Sequence, residues 1–280
     1  MAINLVTEFQ PHVDELFTTG SKKSLLTNND FSWTGAHTVK VHKVNTVDMT
    51  DYDRAGSGAN ASRYGALGSI ENTLEEFTLE KDRSFTFVID KMDKDETQAV
   101  LSGATALARQ QREVIIPEVD TYVYGKMCAG AGTKPAAVAL TKDNIYTEII
   151  TGNNELDNAE VPDTGRSLVV TPDTYLLMKQ CPDITMDTDI GNELRLQGVI
   201  AIVDGLNVIK VPKKRVPANF GFMIAHPVAT VAPTKLEDYK VHQDPPGISG
   251  ELVEGRIVYD AFVLDNKKKA IYYQENKPTA

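Results

Sequence analysis

The chain has 280 residues, a formal net charge of −10 at pH 7 and 41% hydrophobic residues, a composition typical of a globular protein that buries one or two cores. No apolar run approaches the roughly 20 residues that a membrane helix needs, and the N-terminus lacks the basic flank of a signal peptide. We therefore expect no membrane contact, and the acidic balance argues against tight wrapping of the outer surface by nucleic acid.

Residues 1–36 are predicted to form an N-terminal arm. Val13, Leu16 and Phe17 fit one apolar face of a helix that Gly20 would end. An extended two-strand loop is predicted to follow over residues 37–92.

The limbs of this extended loop alternate apolar and polar residues. The first limb breaks its alternation after Val41, as at a bulge. The second limb is expected to bury four residues against another copy of the chain, because a two-stranded arm is marginal alone in water. These residues are Phe77, Leu79, Phe85 and Phe87.

The tip between the limbs is polar and rich in glycine. We expect its charges to set the register of a contact between subunits rather than to supply much energy. The predicted contact residues there are Asp51, Asp53, Arg54, Arg63 and Tyr64.

Residues 93–136 predict a long spine helix and a connection. Apolar residues recur at helical spacing from Asp95, the expected N-cap, to about Lys126, roughly 48 Å at 1.5 Å per residue. Pro117 is expected to kink this helix, and the glycines at 130 and 132 predict a hinge after it.

Residues 137–247 predict a mixed α/β unit. The pattern indicates helices over 141–159 and from Pro172, and strands over 166–171, 199–203, 206–211 and 220–225. Asp204-Gly205 predicts a tight hairpin turn. Within residues 248–280, the segments 256–264 and 270–273 predict a closing antiparallel pair.

Catalytic and metal-binding patterns are weak. His37 and His42 would point to opposite faces of a strand, and the segment from Asp187 lacks the later residues of a calcium loop, which favours a solvated acidic loop. Cys128 and Cys181 are expected to be free thiols, with a single disulfide as the alternative. We therefore expect that the protein is not an enzyme and that it has no catalytic residue, metal site or cofactor.

Two basic runs occur, at residues 213–215 and 267–269. Neither is interleaved with aromatic residues in the sequence, so both are expected to be solvated turns rather than nucleic-acid contacts.

Three segments resemble the major capsid proteins of tailed bacteriophages and prophages, which have the α+β Hong Kong 97-type fold. Residues 166–177 resemble the strand-to-helix entry of the axial domain, residues 254–272 resemble the closing strands of the peripheral domain, and residues 116–120 resemble the middle of the spine helix. The resemblance extends over most of the chain.

The resemblance implies a subunit that self-assembles as pentamers and hexamers into an icosahedral shell around double-stranded DNA. Residues 137–247 would be the axial domain, and residues 93–136 and 248–280 the peripheral domain. The expected loop at the capsomer centre carries Asp187, Asp189, Glu193 and Arg195.

The family also implies partners and a place of assembly. The partners are many copies of the same chain, a separate scaffolding protein, a portal, and DNA held by weak non-specific contacts. The virion capsid would be assembled in the host cytoplasm. The alternatives are the shell of an encapsulin-like bacterial compartment and, in another class, a small-molecule enzyme built on the α/β domain.

Overall fold

A computed structural model describes residues 20–28, 38–56, 63–65, 68–96, 102–184 and 199–277. The chain divides into two compact units, one made by residues Trp33–Leu79 and the other by the remaining residues. We call the first the loop unit and the second the body.

Twelve strands and five α-helices are described. The strands are β1 Thr38–Val44, β2 Asn72–Thr78, β3 Lys81–Asp90, β4 Ser167–Val170, β5 Val199–Val203, β6 Leu206–Lys210, β7 Phe220–Ala225, β8 Thr230–Val231, β9 Thr234–Gln243, β10 Gly250–Tyr259, β11 Phe262–Val263 and β12 Ile271–Glu275. The helices are α1 Lys91–Glu96, α2 Gly103–Gln110, α3 Ile116–Gly130, α4 Ile145–Asn158 and α5 Pro172–Gln180.

The loop unit is built on one antiparallel ribbon of β1 and β2. Its register is continuous from Thr38 opposite Thr78 to Val44 opposite Asn72. The predicted bulge after Val41 is therefore wrong. Val44 breaks the apolar alternation because it lies on the opposite face of the strand, where it is exposed.

The body contains a three-stranded sheet in the order β3-β10-β9 and a five-stranded sheet in the order β12-β7-β4-β6-β5. The predicted two-strand arm is thus wrong for its last part, because β3 pairs with β10 of the body and not with the first limb. The predicted pairing of the two closing segments is also wrong. β10 joins β3 and β9, whereas β12 joins β7.

The spine helix runs without interruption from Gly103 to Gly130, which is roughly 42 Å at 1.5 Å per residue. It begins later than predicted, because Asp95 lies inside α1 and the side chain of Ser102 accepts the capping hydrogen bond from the Thr105 N–H. A π-helical turn over Gln111–Ile115 precedes Pro117, and this wider turn accommodates the residue that lacks an N–H.

The main core lies between the spine, α4 and the five-stranded sheet. The hairpin of β5 and β6 turns at Asp204 and Gly205, both at positive φ, as the sequence predicted. Cys128 and Cys181 are free and buried, which confirms the expectation of thiols. The predicted hinge after the spine is packed instead, because a Cβ on Gly132 would lie 2.5 Å from the Lys268 carbonyl oxygen.

Candidate intersubunit surfaces

The tip of the loop unit is ordered by its own backbone and one aromatic pair. The Asp53 N–H donates to the Arg63 carbonyl over 2.9 Å, and the Thr50 hydroxyl donates to the Tyr64 carbonyl over 2.9 Å. The rings of Tyr52 and Tyr64 meet edge to face with centroids 5.0 Å apart. The two sides of the tip are therefore held together within one chain.

The charged tip residues differ in what they contact. Asp51, Arg54 and Arg63 are exposed. The Asp53 carboxylate accepts hydrogen bonds from the N–H groups of Ala55 and Gly56 at 2.9 and 3.0 Å, which is the geometry of an Asx turn. Asp53 thus has a role within its own chain, and contacts to another subunit stay a prediction for all four charged residues.

Large apolar side chains are exposed mainly on the loop unit. Among the residues that the structure describes, seven of the twelve exposed large hydrophobic side chains belong to it. They are Val44, Val47, Met49, Tyr52, Tyr64, Ile70 and Leu74. Met49 is 99% exposed. Such a concentration on one small unit marks an interaction surface rather than scattered surface residues.

The four apolar contact residues predicted on the second limb divide between the two units. Phe77 and Leu79 belong to the loop unit, and both are buried. Phe85 and Phe87 lie on β3 in the body, where their rings stack with centroids 6.1 Å apart. Contact of these four residues with a neighbouring subunit stays a prediction.

Phe85 also covers a glycine of the central strand. Gly255 on β10 lies opposite Phe85 on one side and Tyr239 on the other, and the two ring centroids are 6.1 Å apart. A Cβ on Gly255 would lie 2.3 Å from the Phe85 ring and 2.7 Å from the Tyr239 ring. The aromatic rings thus occupy the space that a side chain would take, as in the aromatic rescue of strand glycines.

Gly255→Ala is therefore expected to destabilise the body by about 1–3 kcal/mol, because it forces two packed rings apart. Chemical denaturation of the unassembled subunit measures this. Gly125→Ala on the spine is the matched control, since nothing lies within 4 Å of its Cβ position, and it should be neutral or slightly stabilising. Equal unfolding free energies for the two variants would contradict the role assigned to the rings.

Two carboxylates fasten the ends of the three-stranded sheet. Asp260 accepts hydrogen bonds from the N–H groups of Glu80 and Ala261 and from the Tyr122 hydroxyl of the spine, all between 2.7 and 2.9 Å. Burial and this carboxylate raise the pKa of Tyr122. Asp260 therefore ties the spine to the start of β3.

Glu251 has the corresponding role at the other end of β10. It accepts hydrogen bonds from Lys94 and from the Gly103 N–H, both at 2.5 Å. These two donors hold the pKa of Glu251 below its usual range, and they fasten α1 and the first turn of α2 to β10.

Two networks around buried arginines were not predicted from the sequence, because nothing in the local pattern of residues marks an arginine as buried. Arg215 is paired with Asp120 of the spine at 2.9 Å, and Ser21 donates to the same carboxylate at 2.6 Å. Arg166 is 2% exposed and bonds Asn153 and Asp157 of α4, each at 2.6 Å. The Arg215 network joins segments that are distant in sequence, whereas the Arg166 network ties the start of β4 to the preceding helix α4.

The residues predicted for the capsomer centre, Asp187, Asp189, Glu193 and Arg195, lie outside the described residues. Within the described residues, no group of three or more histidine, cysteine or carboxylate side chains could hold a metal ion. None of the described helices combines the length and the apolar character needed to cross a bilayer.

Comparison with known proteins agrees with this architecture. A family described as phage capsid protein matches residues 73–273, whereas no curated protein matches the chain. The chain is similar to a structure from Mycobacterium phage Che8, with a TM-score of 0.73, 18% identity and 97% of each chain covered.

Two further structures show how widely the fold is shared. The mature capsid of bacteriophage PhiM1 matches with a TM-score of 0.72 at 15% identity, over 99% of this chain and 93% of that one. A virus-like particle from Pyrococcus furiosus matches with a TM-score of 0.56 at 12% identity, over 92% of this chain and 93% of that one. These similarities confirm the predicted Hong Kong 97-type fold. Because the family match spans most of the chain, the protein belongs to the phage capsid protein family and is a structural protein, not an enzyme.

Proposed function

We propose that the chain assembles as pentamers and hexamers into a closed icosahedral shell that encloses double-stranded DNA. In this proposal, the extended loop of each subunit lies across a neighbouring copy, and residues 137–247 form the axial domain that meets at the capsomer centre. Each contact joins different surfaces of two copies, so that the contacts close into rings and the rings close into a shell.

The observation that carries the proposal is the uneven distribution of exposed apolar side chains. The body has a continuous buried core, whereas the loop unit exposes seven large apolar side chains. Their burial at about 25 cal/mol per Å² makes weak contacts decisive when they are repeated many times. A separate scaffolding protein, a portal and assembly in the host cytoplasm are part of the proposal.

Size-exclusion chromatography followed by negative-stain electron microscopy tests the proposal directly. We expect the purified chain to elute as capsomers or as megadalton particles, and the particles to be hollow and closed. A stable monomer or dimer at all concentrations would contradict self-assembly into a shell. Open tubes would contradict a closed shell.

An encapsulin-like compartment is the second candidate, because a virus-like particle from a cellular organism, Pyrococcus furiosus, shares the fold. The family match, in contrast, is to phage capsid proteins, which favours the viral shell. Analysis of the contents of particles purified from the native source separates the two, since DNA supports the viral shell and a single enzyme supports the compartment.

A further inference from the structure

The fold brings lysines of three separate segments together on the body. Contacts group Lys22, Lys179 and Lys210 and place Lys213 beside the start of α5, and Lys214 follows Lys213 in the chain. We call the surface of these five lysines the basic face. Strands β4 and β6 are parallel and place Val170 beside Lys210. The end of β6 and the start of α5 therefore lie at the same end of the five-stranded sheet.

Direct contacts connect three of the lysines and an aromatic ring. The ammonium groups of Lys179 and Lys210 lie 5.7 and 5.5 Å from the centroid of the Tyr175 ring, within the range of a cation–π interaction. Lys22 donates a hydrogen bond to the Lys210 carbonyl over 3.1 Å. Tyr175 and Lys179 are one helical turn apart in α5, but Lys22 and Lys210 are distant from them in sequence, so this grouping is visible only in the fold.

Among the described residues, few carboxylates balance this charge. Lys213 pairs with Asp173 at 3.3 Å, and the nearby Asp120 is taken by Arg215. Lys179, Lys210 and Lys214 form no ion pair with any described residue. A positive surface of this kind stands out on a chain whose net charge is −10.

The lysines also repel one another. Burial lowers the pKa of Lys22, and the charges of Lys210 and Arg215 lower it further. Like charges held close together destabilise the free protein, and an anion bound between them would relieve this repulsion. The surface is therefore suited to a polyanion.

We propose that the basic face binds the phosphate backbone of duplex DNA without reading its sequence. Lysines are point charges on flexible stems and bind phosphate without the fixed bidentate geometry that arginine uses to recognise guanine. Phosphate contacts position a duplex but carry no sequence information. This inference rests on the proposed function, since it requires the basic face to point toward the interior of the shell.

The test compares two triple variants of the full-length, unassembled chain. Lys179→Gln/Lys210→Gln/Lys214→Gln removes three charges from the basic face, and Lys267→Gln/Lys268→Gln/Lys269→Gln removes the same charge elsewhere on the body. Fluorescence anisotropy measures binding of a labelled duplex between about 50 and about 200 mM salt. We expect the first variant to lose at least about tenfold in affinity and its salt slope to fall by about 2–3, with little change for the second.

Equal losses in the two variants, or no binding by the unaltered chain, would overturn the assignment. Polyglutamate serves as a competitor, and stronger binding of polyglutamate than of the duplex would mean that the partner is an acidic polypeptide. Electron microscopy of both variants separates this inference from the proposed function. Closed shells with weakened DNA binding support both, whereas closed shells with unchanged DNA binding refute only the inference.

Discussion

A subunit in which residues 46–70 are replaced by a two-residue Asn-Gly turn is expected to fold and yet to form no closed shell. The ribbon of β1 and β2 would remain intact, because its pairing ends at Val44 and Asn72 and Asn-Gly suits a tight hairpin. The variant removes Val47, Met49 and the tyrosines of the tip, and so most of the exposed apolar surface of the loop unit. Negative-stain microscopy would show capsomers or smaller species.

Two measurements make this result decisive. The free energy of unfolding of the body should change by less than about 1 kcal/mol, because the body has its own core. A control with Asp51→Asn and Arg54→Gln keeps the net charge and the apolar surface of the tip, and it should still form shells, since exposed charges contribute little energy. Normal particles from the shortened loop would refute its proposed role.

Asp120→Asn is expected to destabilise the body by about 3–5 kcal/mol, because it leaves the buried guanidinium of Arg215 without its charge partner. The side chains of Asp120 and Arg215 are 1% and 7% exposed. Their pair joins the spine to the segment before β7, and Ser21 and Gly20 are bonded to the same two side chains. Denaturation of the unassembled subunit with urea measures the loss.

Asp238→Asn is the matched control for this substitution. Asp238 pairs with Lys240 at 2.8 Å, nearly the same distance as in the buried pair, but the two side chains are 45% and 58% exposed. Solvent screens that pair, and its loss should cost less than about 1 kcal/mol. The double variant Asp120→Leu/Arg215→Met should recover part of the stability, since it leaves no buried charge. Similar losses for Asp120→Asn and Asp238→Asn would show that burial of the first pair is energetically unimportant.

Features that depend on neighbouring residues could be predicted from the sequence. The hairpin of β5 and β6 follows from apolar strands around Asp204-Gly205, and α5 begins at Pro172 as predicted. Pro117 was correctly placed within the spine, but its effect is a wider turn before it rather than a break.

Features that depend on distant residues could not be predicted in the same way. The alternation of Phe85 and Phe87 is that of any half-buried strand, and it does not say that β10, far along the chain, is the partner. β9 was missed because charged residues such as Glu237, Asp238 and Lys240 interrupt its apolar pattern. The buried pair of Asp120 and Arg215 and the lysines around Tyr175 likewise arise only when the chain has folded.

The π-helical turn before Pro117 has a consequence for how this family can evolve. Each residue added to a helix rotates everything beyond it by about 100°, and a π turn absorbs one additional residue without that rotation. A relative could therefore lose one residue within positions 111–115, and its spine would then be an ordinary α-helix throughout. The spine would still present the same faces before and after the deleted position. An alignment of homologues would record that event as a single gap in an otherwise constant helix.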